Sequence, residues 1–116
     1  MSIDAEDLLS IAEELSESTN EVKIRTSLGR SYYSAYHMGL EYFNITDTKN
    51  WFGGKGGVHQ KLIDEFMYNS QKPVAYILTN LKTKRHLADY HLSVDIGQED
   101  AKASIKSVKL LKEKIK

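Results

Sequence analysis

Apolar residues recur in this chain at spacings of three and four from one end to the other, and a single proline, Pro73, interrupts them. That period places apolar side chains on one face of an α-helix, whereas a half-buried strand would need strict alternation. Ile3, Leu8, Leu9, Ile11, Ala12 and Leu15 set an amphipathic helix over residues 4–18, with Asp4 as its N-cap and Asp7 three places on. Residues 16–20 break the pattern, and Asn20 is placed to cap a second helix over 21–43. The buried line expected there is Ile24, Leu28, Tyr32, Ala35, Gly39 and Tyr42. Gly29 and Gly39 each lower helix propensity by roughly 1 kcal/mol relative to Ala, which is tolerable where a neighbouring helix must come close. Tyr32, Tyr33, Tyr36, Tyr42 and Phe43 read as core and interface aromatics rather than a platform for stacking bases.

Residues 44–57 form the one clear loop, ending in a glycine cluster around Lys55. The spacing of a nucleoside-triphosphate loop is absent and no apolar strand precedes it, so a connector anchored by Trp51 and Phe52 is expected. A third helix over 58–69 should turn Leu62, Ile63, Phe66 and Met67 inward. Pro73 opens a fourth, because proline suits the first helical turn. It carries Ala75, Ile77, Leu78, Leu81 and Leu87, frays over 90–93, and has Leu92 as the end of its buried stripe. After a turn over 93–98, a fifth helix over 99–115 rests on Ala101, Ile105, Val108, Leu111 and Ile115. The expected fold is therefore all-α: an up-and-down antiparallel bundle of about five helices in one domain, residues 1–116. A core of this size is feasible but not generous, which makes burial by oligomerisation a natural supplement.

With 28% charged and 41% hydrophobic residues, the composition is that of a soluble globular protein. Zero cysteines exclude disulfides and thiolate metal sites and suit the cytoplasm. The N-terminus is acidic where a signal peptide would be basic, and no apolar run approaches the ~20 residues that span a bilayer. No membrane partner is expected. The net charge of zero hides an asymmetry: Asp4, Glu6, Asp7, Glu13, Glu14 and Glu17 crowd residues 1–20, whereas Lys102, Lys106, Lys109, Lys112, Lys114 and Lys116 crowd the last helix. This pattern fits solvated helix faces, or a basic face that attracts RNA while the acidic helix lies elsewhere. A neutral total argues against a protein whose main task is holding long nucleic acid.

Chemistry concentrates in Lys84-Arg85-His86-Leu87-Ala88-Asp89-Tyr90-His91. Arginine holds phosphate through a planar fork of donors, and histidine moves protons near neutral pH. Arg85 and His91 are six residues apart, a turn of about 240° on an ideal helix, so they diverge unless the helix ends between them or a second subunit completes the site. Asp89 is also placed to pair with Arg85 at the i,i+4 spacing, and His86 to face water. Arg30 and His37, seven apart, share one helical face at a separation of about 10 Å, which a substrate could span. The four histidines show no metal-ligand spacing and no nucleophile elbow is present, so neither metal nor cofactor is expected.

Arg30-Ser31-Tyr32-Tyr33-Ser34-Ala35-Tyr36-His37 resembles the R-x-Y-Y-A-x-F-H signature in the second helix of HEPN domain proteins. Gly57-Val58-His59 resembles the A-H-S-G entry to that family's third helix, and Leu81-x-x-x-Arg85-x-x-Ala88-Asp89-Tyr90 its L-x-x-x-R-x-x-A-D-Y segment. The resemblance covers residues 4–115 and implies a helical bundle that pairs about a two-fold axis. Active members of that family are metal-independent endoribonucleases, often toxins of toxin–antitoxin or phage-defence pairs, with an R-x(4–6)-H motif at the dimer interface. Carried over, Arg85 would stabilise phosphorane charge and His91 would act as general acid or base while a 2′-hydroxyl attacks its own phosphate. Asp89, Tyr90, His86, Lys84, Arg30 and His37 become supporting or binding residues. His86 directly after Arg85, and Tyr90 before His91, depart from the usual toxin pattern towards the short stand-alone members. Those frequently sit beside a small nucleotidyltransferase, which implies such a partner, and leaves open a non-catalytic module that binds a nucleotide, RNA or that nucleotidyltransferase.

Overall fold

The computed structural model describes residues 2–48 and 57–115, and the Trp51–Phe52 anchor expected in the connector lies outside them. Five helices make up the fold: α1 (Ala5–Ser16), α2 (Glu21–Tyr42), α3 (Gly57–Tyr68), α4 (Lys72–Tyr90) and α5 (Gln98–Lys114). Among the described residues there is no strand. No helix there is long and apolar enough to cross a membrane.

Local chemistry accounts for the helix starts. The Asp4 carboxylate accepts from the Asp7 N–H and the Asp7 carboxylate from the Asp4 N–H, both at 2.9 Å, a reciprocal capping box. Asn20 caps α2 by accepting from the Val22 and Lys23 N–H groups at 2.9 and 3.4 Å. Pro73 lies in the first turn of α4. Two helices end on a left-handed residue, α2 at Asn44 (φ 58°) and α3 at Ser70 (φ 60°). In each the next N–H bonds back five residues, Ile45 to the Leu40 carbonyl and Gln71 to that of Phe66.

Helix α2 is the hub and packs against all four other helices. Its expected line of Ile24, Leu28, Tyr32, Ala35 and Gly39 is buried, but so are Ser27, Ser31 and Ser34 on a second face. Small side chains there admit α1, whose carbonyls at Ala12 and Ala5 each accept a serine hydroxyl at 2.7 Å. These pairings run 27 to 12 and 34 to 5, so α1 and α2 are antiparallel. Tyr42 is the exception on the first face: it is exposed, with its hydroxyl accepting from the Gln71 amide at 2.6 Å.

The helix senses depart from an up-and-down order at α3. His59 meets Tyr32, whereas Leu62 and Phe66 meet Gly39, and Phe66 meets Tyr42. Residue numbers rise together, so α3 runs in the same sense as α2. The connection from 43 to 56 is long enough to return the chain to the starting end before α3 begins. The close approach depends on Gly39, where a Cβ would stand 2.9 Å from Leu62 Cδ2 and 3.1 Å from Phe66 Cε2. Met67, expected inside, is exposed because Gly39 and Phe43 take the neighbouring Leu62 and Phe66 instead. Ile3 and Ile11 are likewise exposed, since α1 needs only its Ala5–Leu9–Ala12 edge to meet α2.

The acidic and basic segments lie side by side rather than apart. Lys102, Lys109 and Lys112 of α5 pair with Glu17, Glu13 and Glu6 of α1 at 3.5, 3.5 and 2.6 Å. The free basic face weighed in the sequence analysis is thus partly neutralised by α1, through exposed pairs that contribute little stability but set an antiparallel register.

Candidate functional site

Arg85 leaves α4 and lies across the middle of α2, its stem passing Gly29, where an added Cβ would stand at an ordinary 4.0 Å from Arg85 Cγ. Its Nη1 donates to the Tyr33 hydroxyl at 2.7 Å. The guanidinium carbon is 5.6 Å from the Tyr32 ring centre and 5.5 Å from that of Tyr33. Arg30 approaches the Tyr33 ring as well, at 5.4 Å, so one tyrosine serves two cations. Asp89 stands 3.8 Å from Arg85 Nε, the i,i+4 partner expected from spacing but beyond hydrogen-bond reach. The Nε atoms of Arg30 and Arg85 are buried without a hydrogen-bond partner, which leaves donor capacity at both.

Behind Arg85 sits a histidine that the sequence analysis did not carry forward as a site residue. His59, in the first turn of α3, has its Nδ1 at 2.6 Å from the Tyr32 hydroxyl and its ring centre 4.6 Å from that of Tyr36. Burial, then the charges of Arg85, Lys82 and His37, hold the imidazole below the usual histidine range. Burial also raises the Tyr32 phenol far above its ordinary value and raises Tyr36 more modestly. The pair is therefore neutral at pH 7. The tyrosines of α2 act as the packing aromatics expected, yet they also orient an arginine and a histidine.

The end of α4 is organised differently. The helix stays regular through Tyr90 instead of fraying, and His91 is its C-cap, outside the helical run. The His86 ring lies 4.9 Å from Tyr90 and 5.4 Å from His91. All three side chains are exposed, Tyr90 at 66%. Leu92, expected as the end of the buried stripe, is 74% exposed, because the backbone after Tyr90 turns its carbonyls inward onto Arg25 of α2. Arg85 is thus directed to α2 and His91 to solvent. Lys84, one place before Arg85 on α4, is half-buried. On α2, His37 is exposed beside Tyr36, and Tyr33 stands between it and Arg30 in the helical order.

Between α3 and α4 runs an open groove of about 310 Å³, lined among others by Gln60, Ile63, Lys82, Arg85 and His86. Its described lining holds two permanent cations and a histidine and no carboxylate, a charge balance that suits an anion. Among the described residues, no three His, Asp or Glu side chains gather as a metal site requires. Arg25 and His59 belong to this region although the sequence alone did not single them out as site residues. Arg25 had a signal, since it lies beside Ile24 within the apolar stripe and four places after Glu21. His59 had its place at the start of α3, within the Gly57-Val58-His59 segment that carries part of the family resemblance. No family model, curated protein or solved structure matches the chain.

Proposed function

We propose that this chain is a HEPN-like, metal-independent endoribonuclease that works as a two-fold dimer, with Arg85 and His91 as its catalytic residues. In the proposed step the RNA 2′-oxygen bonds to the adjacent phosphorus as the bond to the 5′-oxygen breaks. The products are a 2′,3′-cyclic phosphate and a 5′-hydroxyl. Arg85 neutralises the charge that builds on the phosphorane, and His91 takes or returns the proton.

The termination of α4 after Tyr90 carries this proposal. It leaves His91 at the helix end, exposed beside His86, while Arg85 faces α2, so a shared site draws on a second subunit. Support for a second subunit comes from the same end, where Tyr90, Leu92 and Val94 expose apolar surface around His91. Two such ends facing each other would bring two Arg85 and two His91 to one cleft. The acid-free groove beside Arg85 and His86 offers a path for the phosphates.

The test is cleavage of RNA by the purified protein in EDTA, with its mass in solution measured alongside. The wild type is expected to cut and to form a dimer. Arg85→Ala and His91→Ala should each lower the rate by roughly 10²–10⁴-fold while keeping the helical circular dichroism. Unchanged cleavage by both variants would sink the proposal. A wild type that binds RNA or a small nucleotidyltransferase but cuts nothing would favour the non-catalytic module, to which the commitment of Arg85 to Tyr33 already lends itself. Arg30 and Arg85 would then carry the binding.

A further inference from the structure

We infer that Arg25 is a positioning residue for His91: it holds the backbone that presents the imidazole, without touching substrate itself. This rests on the proposal above for what His91 does, but its structural basis is independent of it. Arg25 projects from the first turns of α2 and its side chain is only 10% exposed. Nη1 donates to the carbonyls of Ala88 at 2.9 Å, His91 at 3.3 Å and Leu87 at 3.4 Å. Nη2 donates to those of Leu92, at 3.3 Å, and Val94. Nε donates to the Glu21 carboxylate at 3.0 Å, four residues earlier on α2.

Five carbonyls between residues 87 and 94 therefore converge on one side chain. A helix leaves its last carbonyls unpartnered, and these carry the negative end of the helix dipole. A buried guanidinium is suited to that place, because it stays charged and spreads its donors in a plane. The consequence for residues 91–94 is geometric. The carbonyls of residues 91, 92 and 94 are drawn inward, so the side chains of His91, Leu92 and Val94 face solvent. The Val94 N–H closes the turn on the His91 carbonyl at 3.2 Å, the same carbonyl that Arg25 holds. His91 is thus fixed at its own peptide group from two sides while its ring remains free to meet a substrate. An ordinary C-cap glycine would end the helix equally well but would not tie the following turn to α2.

The test compares wild type, Arg25→Lys and Glu21→Gln in the full chain. Lysine keeps the charge but cannot reach carbonyls on both sides of the turn. Glu21→Gln leaves the arginine in place and slackens its anchor, which keeps the test usable should Arg25→Lys fail to fold. Amide exchange at Val94 is expected to speed at least tenfold in Arg25→Lys and less in Glu21→Gln, while amides in the middle of α2 keep their protection. In RNA cleavage, kcat should fall in the same order with KM unchanged. Unaltered Val94 exchange in a folded Arg25→Lys overturns the inference, as does a loosened turn with undiminished kcat. If the wild type cuts no RNA, the proposed activity fails instead. The carbonyl clamp is then judged by exchange and by the His91 ring resonance, which should broaden or shift in the variants and, if unmoved, ends the inference too.

Discussion

Arg25 and Arg85 cross the seam between α2 and α4 in opposite directions, and the seam is built differently around each. Arg25 leaves α2 for the end of α4 and spends its donors on five backbone carbonyls and one carboxylate. Arg85 leaves α4 for the middle of α2, where it meets one hydroxyl and two aromatic faces and keeps a buried Nε unpartnered. Its side chain is also the more open of the two, at 19% exposed against 10%. Charge alone would rank them alike. The difference lies in what the donors touch. A guanidinium saturated by backbone is a structural clamp, whereas one resting on aromatic rings keeps donor capacity unused.

Replacement by alanine should separate the two most sharply. Arg25→Ala strands several carbonyls beneath α2 and should lower the unfolding free energy by about 3 kcal/mol in urea titration. Arg85→Ala removes one hydrogen bond and weak ring contacts and should lower it by about 1 kcal/mol. Equal losses would erase the contrast.

The two glycines of α2 extend the comparison. At Gly39 an added Cβ collides with Leu62 and Phe66, so Gly39→Ala should cost about 2 kcal/mol by overpacking. At Gly29, beneath the stem of Arg85, the same Cβ finds ordinary contact distance. Gly29→Ala should therefore be neutral or stabilise by up to about 1 kcal/mol through helix propensity. A large loss at Gly29 would mean that Arg85 is wedged against α2 rather than laid over it.

The smallest effect concerns pH at the Arg85 side of the seam. His59 titrates lower in the folded protein than in the unfolded chain, so the unfolded state binds more protons between the two values. Stability is then full above the unfolded value of about 6.5 and falls as pH drops from there towards the folded one. Unfolding midpoints at pH 7.5 and 5.5 should differ in that sense, and His59→Gln should reduce the difference. Tyr32 acts at the other extreme: its phenol stays protonated in the fold, so stability should decline above about pH 10, where the unfolded phenol ionises. A flat profile in both ranges would mean that the His59–Tyr32 pair is more hydrated than its 2.6 Å contact implies.

Much of the helical layout was legible because its causes are local. The Asp4–Asp7 box, the Asn20 cap and Pro73 act within one turn, and their residues lie within three or four positions of each other. The pairing of Arg85 with Asp89 was legible for the same reason. Tyr42 and Met67 were misplaced because each continues an apolar period whose neighbours, rather than the residue itself, are covered by the packed helices, and Leu92 because the chain has already turned away. The buried serines of α2 broke the period in the other direction, since a small polar side chain looks like surface until a neighbouring carbonyl accepts its hydroxyl.

By itself, the order of residues determined the five helices and most of their boundaries, because capping, propensity and apolar period operate over one or two turns. It also placed Arg85, Asp89 and His91 within reach of one helix end. Only the tertiary structure decided that α3 runs alongside α2 in the same sense, that Arg85 turns to the tyrosines, and that Arg25 closes the turn carrying His91. Those outcomes depend on partners about 30 to 70 residues away along the chain. Contacts at that range are set by how the helices pack, which no local spacing encodes.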